Sequence, residues 1–99
     1  MFTGKYFVEK LNMKEHPEGG YYNECLRSGD KIDAASVDPS FVGERRLWTS
    51  IYFLLKDRDV SRFHRLKSDE IWYYHSGVPM VIHIINKNGE LERVKLGLD

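Results

Sequence analysis

The sequence predicts an all-β fold of sandwich or barrel type, with one small helix at its N-terminus. Three observations carry that expectation. Six short runs rich in apolar, aromatic and β-branched residues, at 21–27, 45–56, 60–65, 70–75, 80–85 and 91–96, read as strands. Turn-forming residues stand between most of them, and Asn86-Lys87-Asn88-Gly89 is the clearest hairpin signal. A chain of 99 residues that is 41% hydrophobic and 13% aromatic can fill one core, so residues 1–99 are expected to form a single domain.

Taken in order, residues 5–11 bring Tyr6, Phe7 and Val8 near Leu11 at helical spacing, which predicts a short amphipathic helix. A helix this short is not stable alone and must dock. In His16-Pro17-Glu18-Gly19-Gly20, the proline pushes His16 towards extended geometry, and the glycines supply backbone angles that other residues avoid. This loop should turn sharply into the strand at 21–27. Residues 28–44 are polar and broken by Gly29, Pro39 and Gly43. They read as a long loop, functional or mobile, with one helical turn near Pro39. The strand at 45–56 is apolar on both faces near its end, which predicts a central position. Lys56-Asp57-Arg58-Asp59 is a charged turn, residues 60–65 and 70–75 form a hairpin centred on Lys67, and Ser76-Gly77-Val78-Pro79 breaks the chain. Strands 80–85 and 91–96 close the pattern.

Charge and composition exclude several classes. Lys+Arg and Asp+Glu both number 15, so no basic excess points to nucleic acid. No apolar run approaches membrane-spanning length, and the N-terminus lacks the features of a signal peptide. Cys25 is the single cysteine, so no internal disulfide forms. A soluble cytoplasmic protein is expected, and its near-zero net charge suits self-association.

The chemistry concentrates in residues 63–77. In a hairpin centred on Lys67, His64 and Glu70 stand opposite each other with side chains on one face. Two readings remain open: an acid/base pair directed at a ligand, and a buried pair that satisfies itself. No metal site is expected, because a stable transition-metal centre needs three or four protein ligands and only two stand here; such a pair would hold a divalent ion weakly. Strand alternation puts Trp72 and Tyr74 on the face of Glu70, and Ile71, Tyr73 and His75 on the other. Trp72, Tyr74 and Tyr52 then read either as aromatic walls of a small-molecule pocket or as plain core. His83, alternating with Val81 and Ile85, reads as a core histidine. Arg27 is a candidate for an anionic group, whereas Arg45 and Arg46 read as surface residues. Glu18 belongs to a box that reads as structural turn or pocket lid. Cys25 has no activating neighbour in sequence and reads as a strand residue.

His64, Glu70 and Gly77 resemble the first motif of the cupin superfamily, with Leu66 where that motif has its second histidine. His16-Pro17-Glu18-Gly19-Gly20-Tyr21-Tyr22, then Arg27, Thr49-Ser50-Ile51-Tyr52-Phe53-Leu54-Leu55, Phe63-His64-Arg65 and Ser68-Asp69-Glu70-Ile71-Trp72 follow in one order. Together they resemble an uncharacterised cupin subfamily built around the His-Pro-Glu-Gly-Gly-Tyr box. The resemblance implies a cupin-type jelly-roll β-barrel with an internal pocket, usually as a homodimer, and no settled activity. Family members continue past the position of Asp99 into strands that carry a second motif. The barrel is therefore expected to be short at its C-terminal side, with a homodimer or swapped oligomer covering its sheet edges.

The expected function is binding of a small polar or sugar-like molecule in the barrel, extending to metal-independent acid/base chemistry of epimerase or isomerase type. His64 and Glu70 would be catalytic, with Tyr52, Trp72, Tyr74, Glu18 and Arg27 binding the ligand. No cofactor, nucleic acid or membrane partner is expected. Two alternatives are a metal-dependent cupin enzyme, a dioxygenase or isomerase, and a non-catalytic dimeric domain that has lost its pocket.

Overall fold

The computed structural model describes residues 2–36, 39–40, 43–66 and 68–98. The chain is mostly β with one short helix, and its residues fall into two compact units, Met1–His64 and Arg65–Asp99. Helix α1 is Gly4–Lys10, within one residue of the expected span at each end. Thr3 caps it, its Oγ1 accepting the Tyr6 N–H at 3.1 Å, and so satisfies a donor that the first turn leaves open. Asn12, with φ 54°, ends the turn, and the Met13 N–H returns to the Val8 carbonyl at 2.9 Å. Met13, which follows the helix, is buried.

Three strands form the main sheet of the first unit, in the order β1 (Lys14–Glu15), β2 (Tyr21–Arg27), β5 (Thr49–Leu54), all antiparallel. β2 matches its predicted bounds, and it, not β5, is the central strand. The aliphatic end of β5 that suggested a buried position instead packs near the glycine loop and α1, where Phe53, Leu54 and Leu55 are half-buried. A second ladder joins β3 (Lys31–Asp33) to β4 (Glu44–Arg46). Much of the expected long loop is therefore a hairpin that continues the β2–β5 pairing outward, with a short 3₁₀ turn at Ala34–Ser36. Polarity alone misled here, because a ladder propagates through backbone groups whatever its exposed side chains. Val37, Asp38, Phe41 and Val42 of that segment lie outside the described residues. The predicted strand at 45–56 is split at Leu47 and Trp48. There Ser28, which is buried, diverts the backbone: its N–H donates to the Trp48 carbonyl, and its Oγ bonds both the N–H and the carbonyl of Asp30.

Two predicted strands are absent among the described residues: neither 60–65 nor 70–75 enters a ladder, and Lys67, the expected hairpin centre, lies outside the described residues. The physical reason is competition for backbone partners. The Arg62 N–H is taken by the Glu18 carbonyl at 2.7 Å, and the Arg62 Nη2 donates to the Pro17 carbonyl at 2.5 Å. This approach is open because Gly19 has no side chain; a Cβ there would collide with the Val60 carbonyl oxygen.

The second unit holds one hairpin, β6 (Met80–Ile85) with β7 (Leu91–Leu96), both at their predicted bounds. Its turn is the predicted one: Gly89 takes φ 78°, and the Asn86 Oδ1 accepts the N–H groups of Asn88 and Glu90. Register puts Met80, Ile82, Ile84, Val94 and Leu96 on one face. His83 shares the other face with Arg93 and is exposed, which corrects its reading as a core residue: its cross-strand partner is a charge that needs water. No closed barrel forms among the described residues.

Candidate functional site

The sheet β1–β2–β5 has two unlike faces. Direct pairing of Tyr21 with Leu54 and of Asn23 with Tyr52 puts these four on one face. Helix α1 docks there, since the Asn23 Nδ2 donates to the Leu11 carbonyl at 2.8 Å and a Cβ on Gly4 would lie 3.8 Å from the Leu54 Cδ2. The opposite face carries Tyr22, paired with Phe53, and Glu24, paired with Ile51. His16 extends it: its ring meets Tyr22 and Phe53 edge-on, at centroid distances of 5.2 and 5.3 Å.

A bulge decides where Arg27 points. Between Glu24 and Leu26 the register shifts by one, Cys25 being the extra residue, so that Leu26 faces Ser50 and Arg27 faces Thr49. Simple alternation would put Arg27 with Tyr21 and Asn23, on the helix side. The bulge puts it with Tyr22, Ile51 and Phe53 instead. Its ion pair with Glu24, Nε to Oε1 at 3.8 Å, is consistent with that shared face. Tyr52, expected beside Arg27, is on the other face, so the structure does not bring these two together. The Cys25 Sγ–H donates to the Ser50 carbonyl at 3.3 Å, as suits a strand residue.

At the other end of this face, the glycine-rich loop is tightly tied. The His16 N–H donates to the Gly20 carbonyl at 2.8 Å, and the Gly19 N–H to the His16 carbonyl at 3.0 Å. The His16 Nδ1 lies 3.1 Å from the Glu18 N–H nitrogen and 3.0 Å from the Glu18 Oε2. One nitrogen cannot accept and donate at once. With its lone pair there, Nδ1 takes the N–H; with a proton there, it takes the carboxylate. Glu18 thus gives His16 either its N–H or its carboxylate according to where the ring proton lies, while its carbonyl accepts the Arg62 N–H. A cleft of about 510 Å³ is lined by His16, Gly19, Gly20, Asp59 and Arg62, among others.

His64 closes the first unit and Glu70 lies in the second, and no ladder among the described residues sets the two opposite each other. The His64 Nδ1 is 2.8 Å from the Arg62 carbonyl, which can only accept, so Nδ1 is the donor, and the matching neutral tautomer has its lone pair on Nε2. In the second unit, the Trp72 Nε1 donates to the Glu70 Oε1 at 2.5 Å. Trp72 and Tyr74 are half-buried, whereas Ile71 and Tyr73 are 76% and 75% exposed, so the predicted alternation persists without a ladder. The Tyr74 hydroxyl donates to the Gly77 carbonyl at 2.5 Å, and Gly77 takes φ 97°. Among the described residues, no group of three His, Cys, Asp or Glu side chains is placed to hold a metal ion. The feature that sequence reasoning missed is the bulge; the mark it leaves is Glu24 and Arg27, two charges whose i,i+3 spacing breaks strand alternation.

Comparison with known proteins places this arrangement among relatives. A protein from Shewanella oneidensis, known from an X-ray crystal structure, is 43% identical with a TM-score of 0.85, covering 100% of this chain and 57% of its own. A hypothetical protein from Leishmania major is 36% identical with a TM-score of 0.84, covering 98% of this chain and 58% of its own. The chain thus spans less than three fifths of the length of these solved structures. No curated protein matches it. The family model described as "Cupin superfamily (DUF985)" matches residues 5–99.

Proposed function

The chain belongs to the cupin superfamily, in the family described as DUF985, and on that premise we propose that it binds a small polar or sugar-like molecule against the helix-free face of β1–β2–β5. The observation that carries this reading is the asymmetry of that sheet. One face receives the two ends of α1, through the Asn23 bond to the Leu11 carbonyl and the approach of Gly4 to Leu54. The other presents Tyr22, Ile51 and Phe53 between two polar ends, His16 with Glu18 and Arg27 with Glu24. An apolar floor with a few placed polar groups is the usual make-up of a small-molecule site. In the complete assembly this face would line the interior of a cupin jelly-roll barrel.

The same reading extends to acid/base chemistry. His64 is the candidate base: its Nδ1 donates to the Arg62 carbonyl, a tautomer that, when neutral, has its lone pair on Nε2. Glu70, in the second unit, is a second candidate acid/base group, its Oε1 held by the Trp72 Nε1–H, with Trp72 and Tyr74 as candidate walls. Proton transfer at a carbon beside a carbonyl needs a base to remove the proton, a donor to stabilise the enolate that forms, and return of a proton to the same carbon; no step is routed through a metal. A homodimer or swapped assembly is part of the proposal. Val78, Ile71 and Leu98, at 87%, 76% and 74% exposure, are among the side chains an assembly would cover.

A thermal-shift panel of sugars, nucleotides and small carboxylic acids tests the binding. A specific ligand raises the melting temperature logarithmically with its concentration, through a gain in stability of about 2.7 kcal/mol at a hundredfold excess over Kd. A panel in which no compound shifts the transition sinks the reading. For the chemistry, Glu70→Gln and His64→Ala should keep ligand-induced stabilisation and lose turnover.

A further inference from the structure

We infer that the ligand of this face is a monocarboxylate with an apolar body, its carboxylate held by Arg27; the inference rests on the binding reading above and specifies its substrate class. Arg27 reaches this face only because Cys25 is looped out of the ladder, and bulges commonly re-aim a side chain next to a site. Among the described residues, the polar contact of the Arg27 side chain is Nε to the Glu24 Oε1, at 3.8 Å. Both terminal Nη groups stay uncommitted. A guanidinium fork with its ends open matches the two oxygens of a carboxylate.

Charge selects among oxoanions. Glu24 stands beside Arg27 on this face and repels any anion there, so a dianionic phosphate is opposed about twice as strongly as a monocarboxylate, whose two oxygens the open fork can still bind. A site for phosphate would add lysines, a second arginine or a row of backbone N–H groups. Geometry sets the body of the ligand. Along β5, Thr49 opposite Arg27 is two residues from Ile51 and four from Phe53. At strand rise these steps are about 7 and about 13 Å. A carboxylate at the fork therefore places an attached ring or short aliphatic chain over Ile51, directed towards Phe53 and Tyr22.

The test uses four probes: benzoate, its neutral isostere benzamide, acetate and inorganic phosphate. Binding is followed by the backbone and Arg Nε–H resonances of the ¹⁵N-labelled full chain. Benzoate should shift Arg27 and Ile51 saturably, acetate more weakly because it lacks the body, and phosphate and benzamide least. Arg27→Gln should weaken benzoate by about tenfold or more, since a charge-assisted fork is lost, and Arg27→Lys by less. Arg27 is exposed on an edge of the unit, and a far-UV spectrum establishes that both variants are folded. Equal affinity for benzamide and benzoate, tighter phosphate than benzoate, or an unchanged benzoate affinity in Arg27→Gln each overturns the inference. If neutral sugars bind this face and none of the acids does, the carboxylate class fails and the binding reading stands. If nothing binds, both fail.

Discussion

Replacing Gly19 by alanine tests how the glycine-rich loop is held. Gly19 has φ 118°, a region essentially reserved for glycine, and an alanine there costs about 1–3 kcal/mol in backbone strain. The added Cβ would also overlap the Val60 carbonyl oxygen and come within 3.1 Å of its carbon. Both of those atoms are backbone, so relief requires the loop to separate from residues 60–62. Separation breaks the Arg62 N–H bond to the Glu18 carbonyl at 2.7 Å, worth about 0.5–1.5 kcal/mol net. Taking about 2 kcal/mol for strain and about 1 for the bond, the loss is about 3 kcal/mol. For a domain of this size that corresponds to a fall in Tm of about 12–24 °C. Gly29→Ala is the control, because nothing lies within 4 Å of its Cβ position and its φ is not positive. It should be neutral, or stabilise by up to about 1 kcal/mol through the unfolded chain. Thermal unfolding followed by far-UV and near-UV circular dichroism reads both variants. A Gly19→Ala protein that melts within a few degrees of the Gly29→Ala protein would refute the claim that close backbone approach holds this loop.

Further outcomes follow from the same geometry. Deleting Cys25 removes the extra residue but leaves Leu26 opposite Ser50 and Arg27 opposite Thr49, so the chain should fold, and any ligand response that depends on Arg27 should persist; its disappearance would mean that the bulge itself shapes the site. Asn23→Ala removes the side-chain bond to the Leu11 carbonyl, should cost about 1 kcal/mol, and should raise hydrogen exchange in α1 while sparing β6–β7. Thr3→Ala removes the helix cap and should fray α1 at a cost of about 0.5–2 kcal/mol, read as a loss of helical ellipticity at 222 nm. Light scattering should give at least twice the 11.7 kDa chain mass, and a well-behaved monomer would contradict the proposed assembly.

Part of the fold was legible because it is local. Helix α1, strands β2, β6 and β7 and the turn at Asn86–Gly89 are each set by side-chain periodicity or by a residue that tolerates positive φ, and both act over a few neighbours. The candidate site was legible only in part. The reading of Trp72 and Tyr74 as one side of the chain rests on the same short-range alternation, and their exposures follow it, whereas Glu70 is exposed like its neighbours and joins them through its bond to the Trp72 Nε1. The predicted hairpin of 60–65 with 70–75 did not form among the described residues, because a strand exists only if its backbone finds a partner, and Arg62 found Glu18. The segment 28–44 erred the other way, its polar residues concealing a ladder inherited from β2 and β5.

The sequence by itself determined which segments could be helix, strand or turn, and, through the order of its motifs, the cupin resemblance that the family match bears out. Tertiary structure alone decided which strands pair, which face of the main sheet the helix covers, and on which face Arg27 stands. The physical reason is that residue spacing fixes a side chain's direction only while the ladder is regular. One unpaired residue, Cys25, reverses that direction for every residue beyond it, and only the partner strand shows where the count slips.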